Sequence, residues 1–318
     1  MNRHTAELAE RLTGEAEKII LGKRTQIRLI LTAVLAGGHI LLDDLPGVGK
    51  TTLVKTLATA LGCGFRRIQF TPDLLPSDIT GMNIYNQKTG EFQLMQGPVM
   101  TNLLLADEIN RAIPRTQSAL LEAMEERQVT IDGVTYPLPR PFLVMATQNP
   151  VEMESTFHLP AAQMDRFMLR LTLGYPEAEE EKLMLERLGD RVPMESVETV
   201  TAPEQLWELQ AKVGETELAP AVADYIVSLV RATRAHPLVR MGGSPRSSIA
   251  LFKCAKAYAA IEGQDFVTPD HVQLLAPWCL CHRMVLSNEA RFARATAEGI
   301  LQEILETVPV PPTKEERF

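Results

Sequence analysis

Cysteine is scarce in this sequence, with four residues in 318, at positions 63, 254, 279 and 281. So few and so scattered, they exclude a disulfide framework. The run Cys279-Leu280-Cys281-His282 invites a metal reading, but it lacks the C-x2-C spacing of zinc sites and falls in a helical pattern, so it reads as helix packing. Basic charge is also in short supply: 32 Lys and Arg against 40 Asp and Glu leave a formal net charge of −8. A protein built mainly to grip nucleic acid needs a basic surface to neutralise phosphates, so that class is disfavoured, although a local basic loop is not excluded. Long apolar runs are missing too. None approaches the roughly 18 residues of a membrane span, and the polar start MNRHTAELAERLTGEAEK has no apolar signal-peptide core. The expected location is the cytoplasm.

What is present is a soluble-protein composition, 45% hydrophobic and 23% charged, on a chain long enough for two domains or one large one. Two helical segments, near 5–20 and 23–36, open the chain. Apolar strands at 39–43, 66–70, 102–108, 141–147 and 167–173 then alternate with helical patterns at 49–61 and 114–127. Such alternation predicts a parallel sheet covered on both faces. Two segments interrupt it, and both read as β-hairpins. One, at 89–100, follows the turn signal Lys88-Thr89-Gly90; the other, at 128–138, turns at Asp132-Gly133. After about residue 175 strand-like runs largely vanish, and helices are expected near 203–213, 219–236, 245–262, 269–282 and 288–306. Ser244-Pro245 and Thr268-Pro269 supply caps with proline at the first helical position, and Gly263 closes a helix. The expected organisation is an α/β domain with N-terminal helices over 1–174, then a helical domain over 175–318 with an extended tail.

One further absence sits at the chemical centre. The stretch LLDDLPGVGKTT (41–52) ends like the phosphate loop G-x-x-x-x-G-K-[ST], yet Asp44 stands where the first glycine belongs. A strand, a glycine turn and a helix start still aim backbone N–H groups and a helix dipole at phosphate. Gly47 and Gly49 allow close backbone approach, Lys50 would reach the β- and γ-phosphates, and the Thr51 hydroxyl would bind Mg²⁺. Asp44 must then point away from the phosphates, because like charge there would weaken binding. A GKT after a strand decides little alone. The strand LLLADE, however, places Asp107 and Glu108 at its end, where Asp107 could hold the Mg²⁺ shell and Glu108 could polarise a water for attack on the γ-phosphate. Asn149, ending FLVMATQN, could position that water, although Asn before Pro is also a turn former. Arg166 and Arg246 could stabilise transition-state charge from the same chain or a neighbour, or could be surface ion pairs.

Together these residues resemble the MoxR family of AAA+ ATPases. The run ADEINRAIPRTQSALLEAMEERQVTIDG (106–133) carries most of the resemblance, with ATQNP…LPAAQMDRF (146–167), GGSPRSS (242–248) and FVTPDHVQLLAPWCLCHRM (266–284) in support. It extends over about 35–305. It implies an α/β AAA+ P-loop NTPase: a parallel five-stranded sheet with a sensing strand between the loop strand and the Asp-Glu strand, two β-hairpin inserts, and an all-α lid domain. By matching position, Pro46, Gly47, Val48, Gly49, Lys50, Thr51 and Thr52 look like the Walker A loop, Asp107 and Glu108 like Walker B, Asn149 like sensor 1, and Arg246 like sensor 2. Arg166 looks like the arginine finger acting on a neighbour's ATP, with Arg111, Arg115 and Arg170 as alternatives. The hairpins match inserts that face the pore of a ring. The resemblance further implies ATP and Mg²⁺ as ligands, a ring, most simply a hexamer, a protein client, and a separate partner with a von Willebrand factor A domain.

Three other readings stay open on the residues. A DNA-acting ring ATPase shares the inserts, but YNQKTGEFQLMQG has one Lys and QVTIDGVTYPL no basic residue. A small-molecule phosphotransferase fits the Asp107-Glu108 pair less well. A nucleotide-gated scaffold without turnover rests mainly on Asp44.

Overall fold

The computed structural model describes residues 2–44, 47–148, 157–186 and 194–312. Pro46, Asn149 and the end of the tail from 313 lie outside them. Five parallel strands form the central sheet: β1 (His39–Asp43), β2 (Phe65–Gln69), β5 (Leu103–Asp107), β8 (Leu143–Gln148) and β9 (Phe167–Leu171), in the order β2-β5-β8-β1-β9. The strand ending in Gln148 thus lies between the loop strand and the Asp107 strand, as the resemblance implied.

Strand parity explains the packing. Ile40, Leu42, Leu103, Leu105 and Met145 join one apolar cluster, whereas Leu41, Leu104, Ala106, Val144 and Ala146 join another. Successive side chains leave opposite faces of a strand, and a parallel sheet buries both. The first face is covered by α1 (Arg3–Glu17), α2 (Arg24–Leu35) and α3 (Lys50–Ala60). The second is covered by α5 (Pro114–Glu126). The cluster on the first face runs without a break into the helical region, through Leu206, Leu229, Leu251 and Leu275.

Two antiparallel hairpins leave the sheet. The first pairs β3 (Gly81–Asn86) with β4 (Glu91–Gln96), next to the short α4 (Pro76–Thr80). The sequence indicated its second strand, not its first, because GMNIYN lacks a clear alternation of buried and exposed residues. The second pairs β6 (Gln128–Ile131) with β7 (Val134–Pro137) across Asp132-Gly133, as expected.

After α6 (Ala161–Met164) and β9 come α7 (Ala178–Glu186), α8 (Pro203–Gly214), α9 (Pro220–Ala235), α10 (Pro245–Ile261) and α11 (Pro269–Leu280). Ser244 caps α10, its Oγ accepting the Arg246 N–H at 3.0 Å, and Gly263 takes φ +74° just beyond that helix. The helix expected over 288–306 is two: α12 (Asn288–Phe292) and α13 (Ala297–Thr307). Arg294 turns left-handed at φ +54°, and Thr296 restarts the chain by accepting the Gly299 N–H at 3.0 Å. A short strand pair, β10 (Val239–Met241) with β11 (Val285–Leu286), also lies in this region. Cys279 and Cys281 are buried in helical structure, and among the described residues no cluster of His, Cys, Asp and Glu could hold a metal.

Candidate nucleotide site

The loop after β1 and the carboxylates ending β5 lie at the same C-terminal edge of neighbouring parallel strands, separated by β8. Adjacent strands lie roughly 4.8 Å apart, so these elements are within about 10 Å across the sheet. Ligands of open α/β sheets bind at this edge. Gly47 and Gly49 hold φ of +86° and +85°, and a Cβ on either would meet nothing within 4 Å. The glycines are therefore required by backbone conformation, and open space lies over the loop. Gly49 caps α3, putting Lys50 and Thr51 in its first turn. The Lys50 ammonium donates to the carbonyl oxygen of Asp44 at 2.8 Å.

Asp44 answers the missing glycine. Its side chain is buried, 3% exposed, and turns from the loop to accept the backbone N–H of Leu173 at 2.7 Å and of Gly174 at 2.9 Å. Two N–H donors satisfy the carboxylate where it cannot repel phosphate.

At the end of β5, Asp107 is also buried. Its Oδ1 accepts the Thr147 hydroxyl at 2.6 Å, and its Oδ2 accepts from Arg67 Nη2 at 2.6 Å. Glu108 is left-handed at φ +57°, and its N–H donates to Thr147 Oγ1 at 2.8 Å. This bend ends the strand and turns the Glu108 carboxylate toward Gln69 Nε2 at 2.6 Å and Arg111 Nη1 at 2.9 Å. Arg111 thus pairs within its own chain. Sequence reasoning missed Arg67, Gln69 and Thr147. The available signal was the polar parity of FRRIQF, whose Gln69 aligns with Asp107 across the parallel pair.

The remaining arginines lie elsewhere. Arg170 on β9 pairs with Asp43, and Arg115 is exposed. Arg166 immediately precedes β9, whose first residue aligns with His39 at the start of β1. It is therefore at the opposite edge of the sheet from the loop, about 13 Å away along the strand. Arg246 joins it there. Arg166 donates a 3.0 Å ion pair to Glu125, and Arg246 binds the other oxygen of the same carboxylate. The structure brings Arg166 and Arg246 together in a cleft beside Gly38, Glu125 and Lys253, and it does not bring Arg246 to the loop of its own chain. Two further arginines tie the backbone beneath this cleft. Arg127 donates to Gly37 O at 2.7 Å, and Arg283, its pKa lowered by burial, donates to Phe167 O at 2.7 Å.

Comparison with known proteins agrees with this geometry. Residues 39–169 match the family model of the ATPase family associated with various cellular activities (AAA), and residues 231–304 match the AAA lid domain. A crystal structure of a Cytophaga hutchinsonii protein assigned as an ATPase superposes with a TM-score of 0.91 at 38% identity, covering 98% of this chain and 97% of that one. The fold is that of an AAA+ ATPase, an α/β unit with a helical lid. Chaperone MoxR1 of Mycobacterium tuberculosis is 42% identical over 95% of this chain and 82% of its own length. Protein MoxR of Methylorubrum extorquens is 31% identical over 96% of both. The chain belongs to the MoxR family of AAA+ ATPases. The Bacillus subtilis protein YeaC, uncharacterized, is 53% identical over 92% of each chain.

Proposed function

We propose that this chain hydrolyses ATP in a ring of identical subunits and uses the cycle to remodel or assemble a protein client. The observation that carries the reading is the split of the polar groups: Lys50, Thr51, Asp107 and Glu108 at one edge of the sheet, Arg166 and Arg246 at the other. At the loop edge Arg67 and Arg111 are held by Asp107 and Glu108, whereas Arg166 and Arg246 lie away from their own loop and are offered to a neighbour's. A guanidinium supplied in trans stabilises charge developing on the transferred phosphoryl group and makes turnover depend on assembly.

In this scheme Lys50 and the N–H groups of the loop hold the β- and γ-phosphates. Thr51 and Asp107, a hydroxyl and a carboxylate, fit the hard-oxygen donor set that magnesium takes beside phosphate oxygens. Bound there, the ion would neutralise charge on those oxygens. Glu108 activates the attacking water once it leaves Gln69 and Arg111, and Asn149 positions that water. Thr147 fixes the Asp107 carboxylate and the Glu108 backbone together. Arg166 and Arg246 leave Glu125 to reach the adjacent subunit's γ-phosphate.

A protein client is favoured over DNA by the first hairpin, which exposes Ile84, Tyr85, Phe92 and Met95 and carries little positive charge. Apolar side chains of this kind hold unfolded peptide rather than phosphate. Chaperone MoxR1 carries that activity in its name. A separate partner with a von Willebrand factor A domain would select the client.

The test is steady-state turnover. Lys50→Ala should weaken nucleotide binding about tenfold or more. Glu108→Gln should bind ATP normally and lose about 10²-fold or more in kcat. Arg166→Ala should lose about 10³-fold in the assembled ring, and mixing it with Lys50→Ala subunits should restore part of the activity. No restoration with normal assembly would rule out action in trans.

A further inference from the structure

The structure assigns a coupling role to Asp44. The inference deepens the nucleotide-driven reading above and rests on it. Asp44 is bonded in two directions. Its carbonyl oxygen accepts from the Lys50 ammonium at 2.8 Å, the group that must reach the phosphates. Its carboxylate, buried just past the C-terminal ends of the paired strands β1 and β9, grips two consecutive backbone N–H groups, those of Leu173 at 2.7 Å and Gly174 at 2.9 Å. Those two residues follow the last strand of the sheet and begin the connection to α7 and the helical region. Gly174 is left-handed at φ +65°, which marks it as a bend in that connection.

A glycine at this position could form the loop but could not reach the connection. Asp44 joins the two through a single residue. When Lys50 turns to phosphate it gives up the Asp44 carbonyl, and the peptide at Asp44 is free to re-orient. Any such movement passes through a short side chain to the bend at Gly174, because a carboxylate with two charge-assisted N–H bonds does not slide on its partners. Asp44 is thus a positioning residue that reports occupancy of the phosphate loop to the segment on which the helical region hangs. Neighbouring Asp43 is tied to Arg170 on β9, so the strand beneath stays fixed while the bend moves.

Hydrogen–deuterium exchange on the full chain tests this, comparing no nucleotide, ADP and a non-hydrolysable ATP analogue. The wild-type backbone around 173–178 should change its exchange rate by about fivefold or more between states. Asp44→Asn keeps one acceptor and sets an NH₂ against the other N–H, whereas Asp44→Gly removes both contacts and restores the usual loop residue. Both variants should bind a fluorescent ADP within about threefold of wild type, lose the nucleotide dependence at 173–178, and drop kcat about tenfold with little change in KM. A purely structural staple would lower the melting temperature and leave the nucleotide dependence in place, which would overturn the proposal. So would a wild-type chain that binds nucleotide without any change at 173–178, a result that needs no variant to fold. A wild-type chain that binds no better than Lys50→Ala would instead overturn the proposed function, and this inference with it.

Discussion

At the scale of single residues, environment decides charge. His39 and His282 are buried, and burial with a neighbouring arginine holds each pKa down to about 3. His39 keeps Nδ1 as an acceptor for the Val144 N–H at 3.0 Å and places Nε2 3.1 Å from Met124 O. An unfolded histidine takes up a proton near 6.5, so below that pH the unfolded chain gains protons the folded chain refuses. Stability should be full above pH 6.5 and fall steadily toward pH 3, with each histidine contributing a loss of about 2 kcal/mol at pH 5. Thermal melts at pH 7 and pH 5 check this; a His39→Gln, His282→Gln pair should flatten the slope, and an unchanged slope would refute it. Legibility at this scale was uneven. Lys50, Thr51, Asp107 and Glu108 stood out as candidates because a glycine turn and an acidic strand end are local patterns. Arg67, Gln69 and Glu125 did not, because what they touch depends on which strand or helix lies beside them.

At the scale of elements, local rules set most boundaries and close approach set the others. The first hairpin is closed at its base by Gly81 and Gly97. A Cβ on Gly97 would sit 2.2 Å from Ile79 O and 2.5 Å from Gly81 N, both backbone atoms. Gly97→Ala should therefore open the hairpin base while leaving the central sheet intact. Limited proteolysis should cut within 81–96 about tenfold faster, with a small change in the global melting temperature. Equal cleavage of variant and wild type would show that the hairpin does not depend on that contact. Composition gave no warning of this hairpin's first strand, since its exposed faces leave no apolar alternation to read. The helix expected over 288–306 failed for a related reason: a capping Thr296 and a left-handed Arg294 outweigh a helical pattern on both sides.

For the whole molecule, the sheet separates the phosphate loop from Arg166 and Arg246 by its own length. Turnover per chain should thus rise with protein concentration and reach a plateau as rings fill. Sedimentation run in parallel should show the same midpoint. Turnover independent of concentration down to the monomer would mean that a subunit completes its own site. Arg246 is about half exposed where it shares the Glu125 carboxylate with Arg166, so Arg246→Ala should change stability by about 1 kcal/mol or less while turnover in the ring falls sharply.

The sequence by itself indicated the family and the parallel sheet, and it singled out the candidate phosphate and carboxylate residues. Strand parity, capping residues, the glycine turn before Lys50 and the adjacent Asp107-Glu108 pair are each patterns within short stretches of chain, where covalent connection fixes who meets whom. Only the tertiary structure decided that Asp44 holds Leu173 and Gly174, 129 and 130 residues away, and that Arg166 and Arg246 share Glu125. Those partnerships arise when sheet order and helix packing bring distant segments together, and no local pattern encodes them.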